Sequence, residues 1–188
     1  MEGDVMRMVH LALAGAAALA LGACATMTAS SHVAPATNLR EFATYDWGPA
    51  DALPVGDARL DKDPYFHDYV QGAVEKQLAA TRLSHATAMR PPDLLIHYHA
   101  SITTRIDVNR ADRERGYCDG DDCARVVEYE AGTLVIDLVD ARTNRVVWRG
   151  WAQDSVDGVL DDADRLRQKI DAAVRRIFER FHQSSGGR

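Results

Sequence analysis

Hydrophobic and polar residues alternate with a period of two along residues 132–152, which is the pattern of two paired β-strands. The apolar side chains that share one face are Leu134, Ile136, Leu138, Val146, Trp148 and Ala152. The interval 140–145 has turn chemistry, and Asn144 is the residue best suited to a left-handed backbone conformation. This segment therefore predicts a β-hairpin with one buried face.

Two further strands are predicted before this hairpin. Residues 42–47 form a short alternating segment, and a longer one, residues 94–106, follows the break at Pro91-Pro92-Asp93. Leu94 and Ile96 lie on the apolar face of the longer strand. Its other face is mostly polar, as expected for a sheet covered on one side.

The segment 126–140 alternates as well, so we expect it to pair with residues 94–106 as a long antiparallel hairpin. We expect a bulge near Ala131-Gly132 and the charged segment 109–124 at the tip. The last strand is predicted over residues 145–153.

Two segments have helical periodicity. Asp63-Pro64 is a typical helix start, and the apolar stripe after it predicts a helix ending near residues 83–85. A second amphipathic stripe predicts a helix from Asp161 or Asp162 to Phe181. Acidic residues at its start and arginines near its end complement the helix dipole.

The predicted order is strand, helix, three strands, helix. It indicates an α+β two-layer sandwich, β-α-β-β-β-α, with two helices packed on one face of a four-stranded, mainly antiparallel sheet. We assign this domain to residues 39–183 and expect residues 184–188 to be a disordered tail.

The N-terminal segment has the features of an export signal. Residues 11–21 are an apolar run too short to span a bilayer, and Leu21-Gly22-Ala23-Cys24 resembles the bacterial lipobox. We therefore predict a signal peptide over residues 1–23 and acylation of Cys24, the alternative being a plain secretory signal with a chance cysteine. The residue after the cysteine is Ala25 and not an aspartate, which resembles the signal for outer-membrane sorting. This predicts a lipid anchor in the outer membrane with the domain facing the periplasm. Residues 24–38 are predicted to be the lipidated Cys and a flexible tether.

Composition narrows the classes of function. The net charge of -6 argues against a nucleic-acid partner, because phosphate contacts require a basic surface. After residue 24 the chain has no apolar run long enough for a transmembrane helix. We find no nucleophile elbow, Cys-His signature or phosphate loop, so we expect a protein that is not an enzyme and has no cofactor.

Several short motifs together resemble one family. They are Phe42, Tyr45 and Trp47 in the first strand, Pro92-Asp93-Leu94 at the start of the second, Gly132 to Asp140, and Val147 to Gly150. With the lipobox, this pattern is similar to the lipoproteins of domain of unknown function 4136, over residues 24–182. The resemblance implies a bacterial envelope lipoprotein without an established activity, and it supplies no catalytic residue. The loop from Cys118 to Cys123 has no counterpart in the family pattern.

Cys118 and Cys123 remain as a pair once Cys24 carries lipid. In an oxidising compartment an even pair that closes a short loop predicts a disulfide across the hairpin tip. The alternative is a redox or metal-binding pair. The acids between the two cysteines predict a solvated turn rather than a calcium loop, because the later bidentate Glu is missing.

Three functional hypotheses follow. First, the domain is a non-enzymatic module that binds another envelope protein, with Arg105, Arg149 and Trp151 on the partner surface. Second, His97 and His99, which share one strand face, bind a metal ion or a small ligand. The third and weakest is an envelope hydrolase.

Overall fold

The computed structural model describes residues 27–49, 56–61, 63, 65–106 and 128–186. The strands in this part of the chain are β1 (Thr28–Val33), β2 (Thr44–Trp47), β3 (Ser84–His85), β4 (Leu94–Ile106), β5 (Glu128–Asp140) and β6 (Arg145–Ser155). The α-helices are α1 (Ala58–Asp61), α2 (Phe66–Leu78) and α3 (Ala163–Gly186), and Leu39–Glu41 form one turn of 3-10 helix.

The strands form one mixed sheet in the order β1-β6-β5-β4-β2-β3. β2 is parallel to both β3 and β4, and the other pairs are antiparallel. The predicted α+β class is confirmed. The predicted four-stranded sheet is wrong, because the described residues contain two further strands, one at each edge.

The first added strand, β1, lies in the segment predicted to be a flexible tether. Residues Thr28 to Val33 pair antiparallel with residues Gln153 to Trp148 of β6. Ala29 and Val33 pack on the core side, while the alternate positions are exposed. The tether prediction therefore fails over residues 28–33, because backbone pairing with β6 compensates for the low apolar content of the strand.

The helices differ from the predicted ones mainly at their ends. α2 ends at Leu78 instead of near residues 83–85, and Ser84–His85 form the second added strand, β3. α3 runs to Gly186, so residues 184–186 are helical rather than part of a disordered tail. α1 is a further short helix between β2 and α2, in addition to the two that the sequence predicted.

One hydrophobic core lies between the helices and the sheet. Its fully buried side chains come from α2, α3 and alternate positions of the three longest strands. Trp148 has no exposed surface and packs on Phe178 and Phe181 of α3, which confirms its predicted place in the core. A side chain at Gly150 would collide with the Trp148 ring and would lie 2.6 Å from Ile177 Cγ2, so only glycine fits there.

The predicted long hairpin of β4 and β5 is present, but the irregularity in strand pairing lies at another position than predicted. β4 and β5 pair without interruption from Leu94–Asp140 to Ile106–Glu128, so the predicted bulge at Ala131-Gly132 is wrong. The register shift instead occurs between β5 and β6 at Leu138/Val139. Asn144 has φ 53° in the β5–β6 turn, which confirms the left-handed position. The predicted tip, residues 109–124, lies outside the described residues.

Asp93 fixes the parallel pairing of β2 with β4. Its Oδ2 accepts hydrogen bonds from the backbone N–H groups of Ala43 and Thr44, at 2.8 and 3.0 Å. The N–H of Ala43 and that of Thr44, together with the Thr44 hydroxyl, lower the pKa of this carboxyl. The Asp of the Pro-Asp-Leu motif therefore joins two segments about fifty residues apart in sequence.

Candidate functional site

The sheet face opposite the helices carries three transverse rows of mostly polar side chains, which we call the polar sheet face. Its rows, in the order β1, β6, β5, β4, are His32–Arg149–Asp137–His97, Ser30–Trp151–Val135–His99 and Thr28–Gln153–Thr133–Ser101. The described helices pack on the other face, where most of the apolar side chains of the strands join the core. The face is therefore a mostly polar surface formed by four paired strands.

An ion pair lies at the centre of the first row. Arg149 donates from Nε and Nη2 to Oδ1 and Oδ2 of Asp137, both at 2.6 Å. Asp137 is only 3% exposed, whereas half of the Arg149 side chain is accessible to solvent. The hydrogen bond to Asp137 raises the pKa of Arg149. This two-point contact holds the guanidinium in one orientation at the surface.

The second and third rows place an aromatic ring beside a neutral hydrogen-bonding pair. Trp151 is partly exposed between Ser30 of β1 and Val135 of β5. Beside it, Gln153 Nε2 donates to Thr133 Oγ1 at 2.7 Å. Tryptophan and arginine are the residue types that contribute most binding energy at protein interfaces, and here Trp151 and Arg149 occupy adjacent rows.

His97 and His99 lie on the predicted face of β4, with Gly48, just after β2, beside the His97 ring and Gly56, just before α1, beside the His99 ring. The Gly48 N–H donates to the Ile96 carbonyl at 2.9 Å, and the Gly56 N–H donates to the Ala100 carbonyl at 2.7 Å. A Cβ on Gly48 would collide with the His97 ring, and one on Gly56 would be 3.4 Å from His99 Cε1. Both imidazoles are therefore only partly exposed.

His97 also lines a pocket of about 160 Å³ at the edge of the sheet where β2 ends. The other polar or aromatic side chains of the pocket are Trp47, His67, Gln71 and Tyr98. The Tyr98 hydroxyl is hydrogen-bonded to His67 Nδ1, and burial, with the nearby charge of Asp68, raises the pKa of Tyr98 to about 12. No group of three or more His, Cys, Asp or Glu side chains that could hold a metal ion occurs among the residues described.

The predicted partner residues do not form one surface. Arg149 and Trp151 are neighbours, but Arg105 is paired with Tyr129, eight residues along β5 from Asp137. This separation is about 26 Å along the strand. Cys24, Cys118 and Cys123 lie outside the described residues, so acylation and the disulfide stay predictions.

Sequence reasoning missed Asp137 and His32. Asp137 interrupts the apolar run Val135–Val139. A carboxylate in such a run requires a partner, so the sequence could have indicated that Asp137 is buried and paired. His32 joins the row only because β1 pairs with β6, and no local pattern indicates that pairing.

No helix in the described part of the chain is long and apolar enough to cross a membrane. The described residues define an α+β domain with helices on one face of the sheet and mostly polar side chains on the other.

A family model matches residues 29–181, and the chain belongs to that family, domain of unknown function DUF4136. No curated protein matches the chain. Among solved structures, a PDZ domain protein from Parabacteroides distasonis is 15% identical with a TM-score of 0.47, and the match covers 82% of this chain and 36% of that one. The chain thus spans about a third of that protein's length. A PelC dodecamer from Paraburkholderia phytofirmans is 12% identical with a TM-score of 0.44, and the match covers 82% and 96%.

Proposed function

We propose that this protein is a lipoprotein of the bacterial cell envelope, acylated at Cys24 and anchored in the outer membrane, whose domain binds another envelope protein. The lipobox-like sequence Leu21-Gly22-Ala23-Cys24 supports the anchor. Two acyl chains give a lasting attachment, which a single chain does not. In this proposal the domain is a non-enzymatic binding module.

The observation that carries the binding role is the oriented Arg149 guanidinium beside the partly exposed Trp151 on the polar sheet face. Asp137 fixes the position of the guanidinium before any partner arrives, so little side-chain entropy is lost on binding. Ser30 and His32 are exposed next to these residues and leave the face accessible from the β1 edge. We infer that the partner presents a carboxylate or backbone carbonyls to Arg149 and an apolar group to Trp151.

The experiment is site-specific photocrosslinking in intact cells. A benzophenone amino acid replaces Ser30, which lies directly opposite Trp151 in the sheet, so the core is left unchanged. The control carries the same amino acid at Arg175, an exposed position on α3. Mass spectrometry of the mature N-terminus of the same preparation tests for acyl groups on Cys24.

We expect a defined protein adduct from position 30 and none from position 175. Loss of that adduct in a Trp151→Ala background would link the adduct to the polar sheet face. Equal adducts from both positions, or none from position 30 in an acylated protein, would overturn the binding role. A mature N-terminus without acyl groups would overturn the lipoprotein assignment.

A small-ligand role is the second candidate, and the pocket beside His97 favours it. His67, His97 and Gln71 supply hydrogen-bonding groups around about 160 Å³, which is room for a small polar molecule. His99 lies outside this pocket, so the predicted pair would contribute one histidine to it. Calorimetric titration with Cu²⁺ and Zn²⁺, comparing the native protein with His97→Ala and His99→Ala, tests the metal form of this role. Equal weak heats for all three proteins would reject it.

A further inference from the structure

We propose that the outermost described part of the β4–β5 hairpin lies at the surface of the phospholipid bilayer. We define this hairpin stem as residues 103–106 and 128–130. The inference rests on the proposed acylation of Cys24, and it adds which end of the domain faces the membrane and what it contacts there.

The first step is the short link between the anchor and the fold. Met27 packs against the hydrophobic core, and Thr28 is already paired with Gln153. Only three residue steps separate Cys24 from Met27. A fully extended chain of this length spans about 10 Å, so an acylated Cys24 keeps this end of the sheet close to the bilayer.

The second step is the direction of the hairpin stem. Thr28, Gln153, Thr133 and Ser101 form one transverse row, and from this row β4 and β5 continue to Ile106 and Glu128. This continuation has the same direction as β1 followed from Val33 back to Thr28. Five further residues add about 17 Å along the strands.

Sheet twist shortens the part of this extension that lies along the direction of β1, without removing it. β1 and β5 are two strands apart, so their directions differ by about 45°. The stem then extends about 12 Å beyond the Thr28 row along the direction of β1. Measured from the same row, the four residue steps from Thr28 back to Cys24 span at most about 14 Å, so the end of the stem reaches nearly the same level as the acylated residue.

The chemistry of the stem fits a headgroup surface. Arg105 is exposed and directly opposite Tyr129, and Thr103 and Thr104 are exposed beside them. A guanidinium binds lipid phosphates, and a tyrosine ring is suited to the boundary between acyl chains and water. Glu130 is engaged by Arg59 at 2.8 Å, whereas Glu128 is exposed. Because the exposed Glu128 offsets the charge of Arg105, we expect the contacted lipids to be mainly zwitterionic.

The experiment uses the full acylated protein in vesicles of phosphatidylethanolamine with a minor fraction of phosphatidylglycerol. A benzophenone amino acid replaces Tyr129 in one variant and Met89 in the other. Met89 is 93% exposed and precedes β4 at the opposite end of the sheet. Flotation of the vesicles and the mass of the mature N-terminus report anchoring independently of the crosslink.

We expect phospholipid adducts from position 129 and none above background from position 89. An additional Arg105→Glu change should lower the adduct yield from position 129 while flotation is unchanged. Anchored protein that gives no lipid adduct from position 129, or equal yields from both positions, overturns the inference and leaves the proposed lipoprotein assignment intact. Protein that neither floats nor carries acyl groups overturns both.

Discussion

Arg149 and Asp137 form a two-point ion pair from directly opposite positions on β6 and β5, with both N···O distances at 2.6 Å. Asp137 is almost completely buried on the face opposite the described helices, and the Arg149 guanidinium is the oppositely charged group that contacts it among the described side chains. The pair connects the fold to the proposed function, because the same contact neutralises a buried carboxylate and orients a surface arginine.

Arg149→Ala should therefore destabilise the domain. It leaves the Asp137 carboxylate buried without a counter-charge, and we expect the free energy of unfolding to fall by about 2 kcal/mol. This value lies below the range for fully buried pairs because Arg149 is half exposed. Urea unfolding followed by tryptophan fluorescence measures the change.

Arg142→Ala is the matched control, since Arg142 lies in the adjoining turn with 85% of its side chain exposed and an ion-pair distance of 3.9 Å. Its effect should stay within about 0.5 kcal/mol. The double variant Asp137→Leu/Arg149→Met should recover much of the lost stability, because neither charge then remains unpaired. Equal losses in Arg149→Ala and Arg142→Ala would contradict the role of the pair.

Gly150→Ala should disrupt the packing of the core. The added methyl group would overlap the Trp148 ring and approach Ile177 Cγ2 to 2.6 Å, and both neighbours are completely buried. We expect a loss of about 2–3 kcal/mol, since the sheet and α3 must separate to accommodate it. Thermal unfolding followed by near-UV circular dichroism of the tryptophans reports the change.

Gly72→Ala is expected to have the opposite effect on stability from Gly150→Ala. Gly72 lies in α2, and a Cβ there would have no neighbour within 4 Å. Alanine should therefore stabilise the helix by about 0.5–1 kcal/mol. A destabilised Gly72→Ala protein, or an unaffected Gly150→Ala protein, would show that the packing around these glycines differs from the one described.

Asp93→Ala should weaken the joint between β2 and β4 by about 1 kcal/mol, because two backbone N–H groups lose their acceptor. Asp93→Asn should restore part of this, since the amide oxygen can accept in place of Oδ2. Because folding lowers the pKa of Asp93, the stability from its charge is complete above the ordinary value of 3.8 and is lost as the pH falls through the lower folded value.

Unfolding by urea at neutral pH and at several pH values below 3.8 measures this dependence. The stability difference between the native protein and Asp93→Asn should shrink on acidification, because asparagine does not titrate. A stability difference between the two proteins that does not change with pH would mean that the charge of Asp93 does not stabilise the pairing of β2 with β4.

The periodicity of the sequence determined the elements whose side chains divide cleanly between core and solvent. The long β4–β5 hairpin, the β5–β6 turn at Asn144, the burial of Trp148 and the common face of His97 and His99 all follow from local alternation. The motifs around Asp93 and residues 132–150 also indicated the family, which the match over residues 29–181 confirmed. In each case the information lies within a few residues along the chain.

Tertiary structure alone decided the edges of the sheet and the composition of the polar sheet face. β1 has little apolar surface, and its place is set by backbone hydrogen bonds to β6, about 120 residues later in sequence. The same pairing adds His32 to the row of Arg149, while strand length separates Arg105 from it. Backbone groups carry no residue-specific signal, so pairing between distant segments leaves no periodic trace in the sequence.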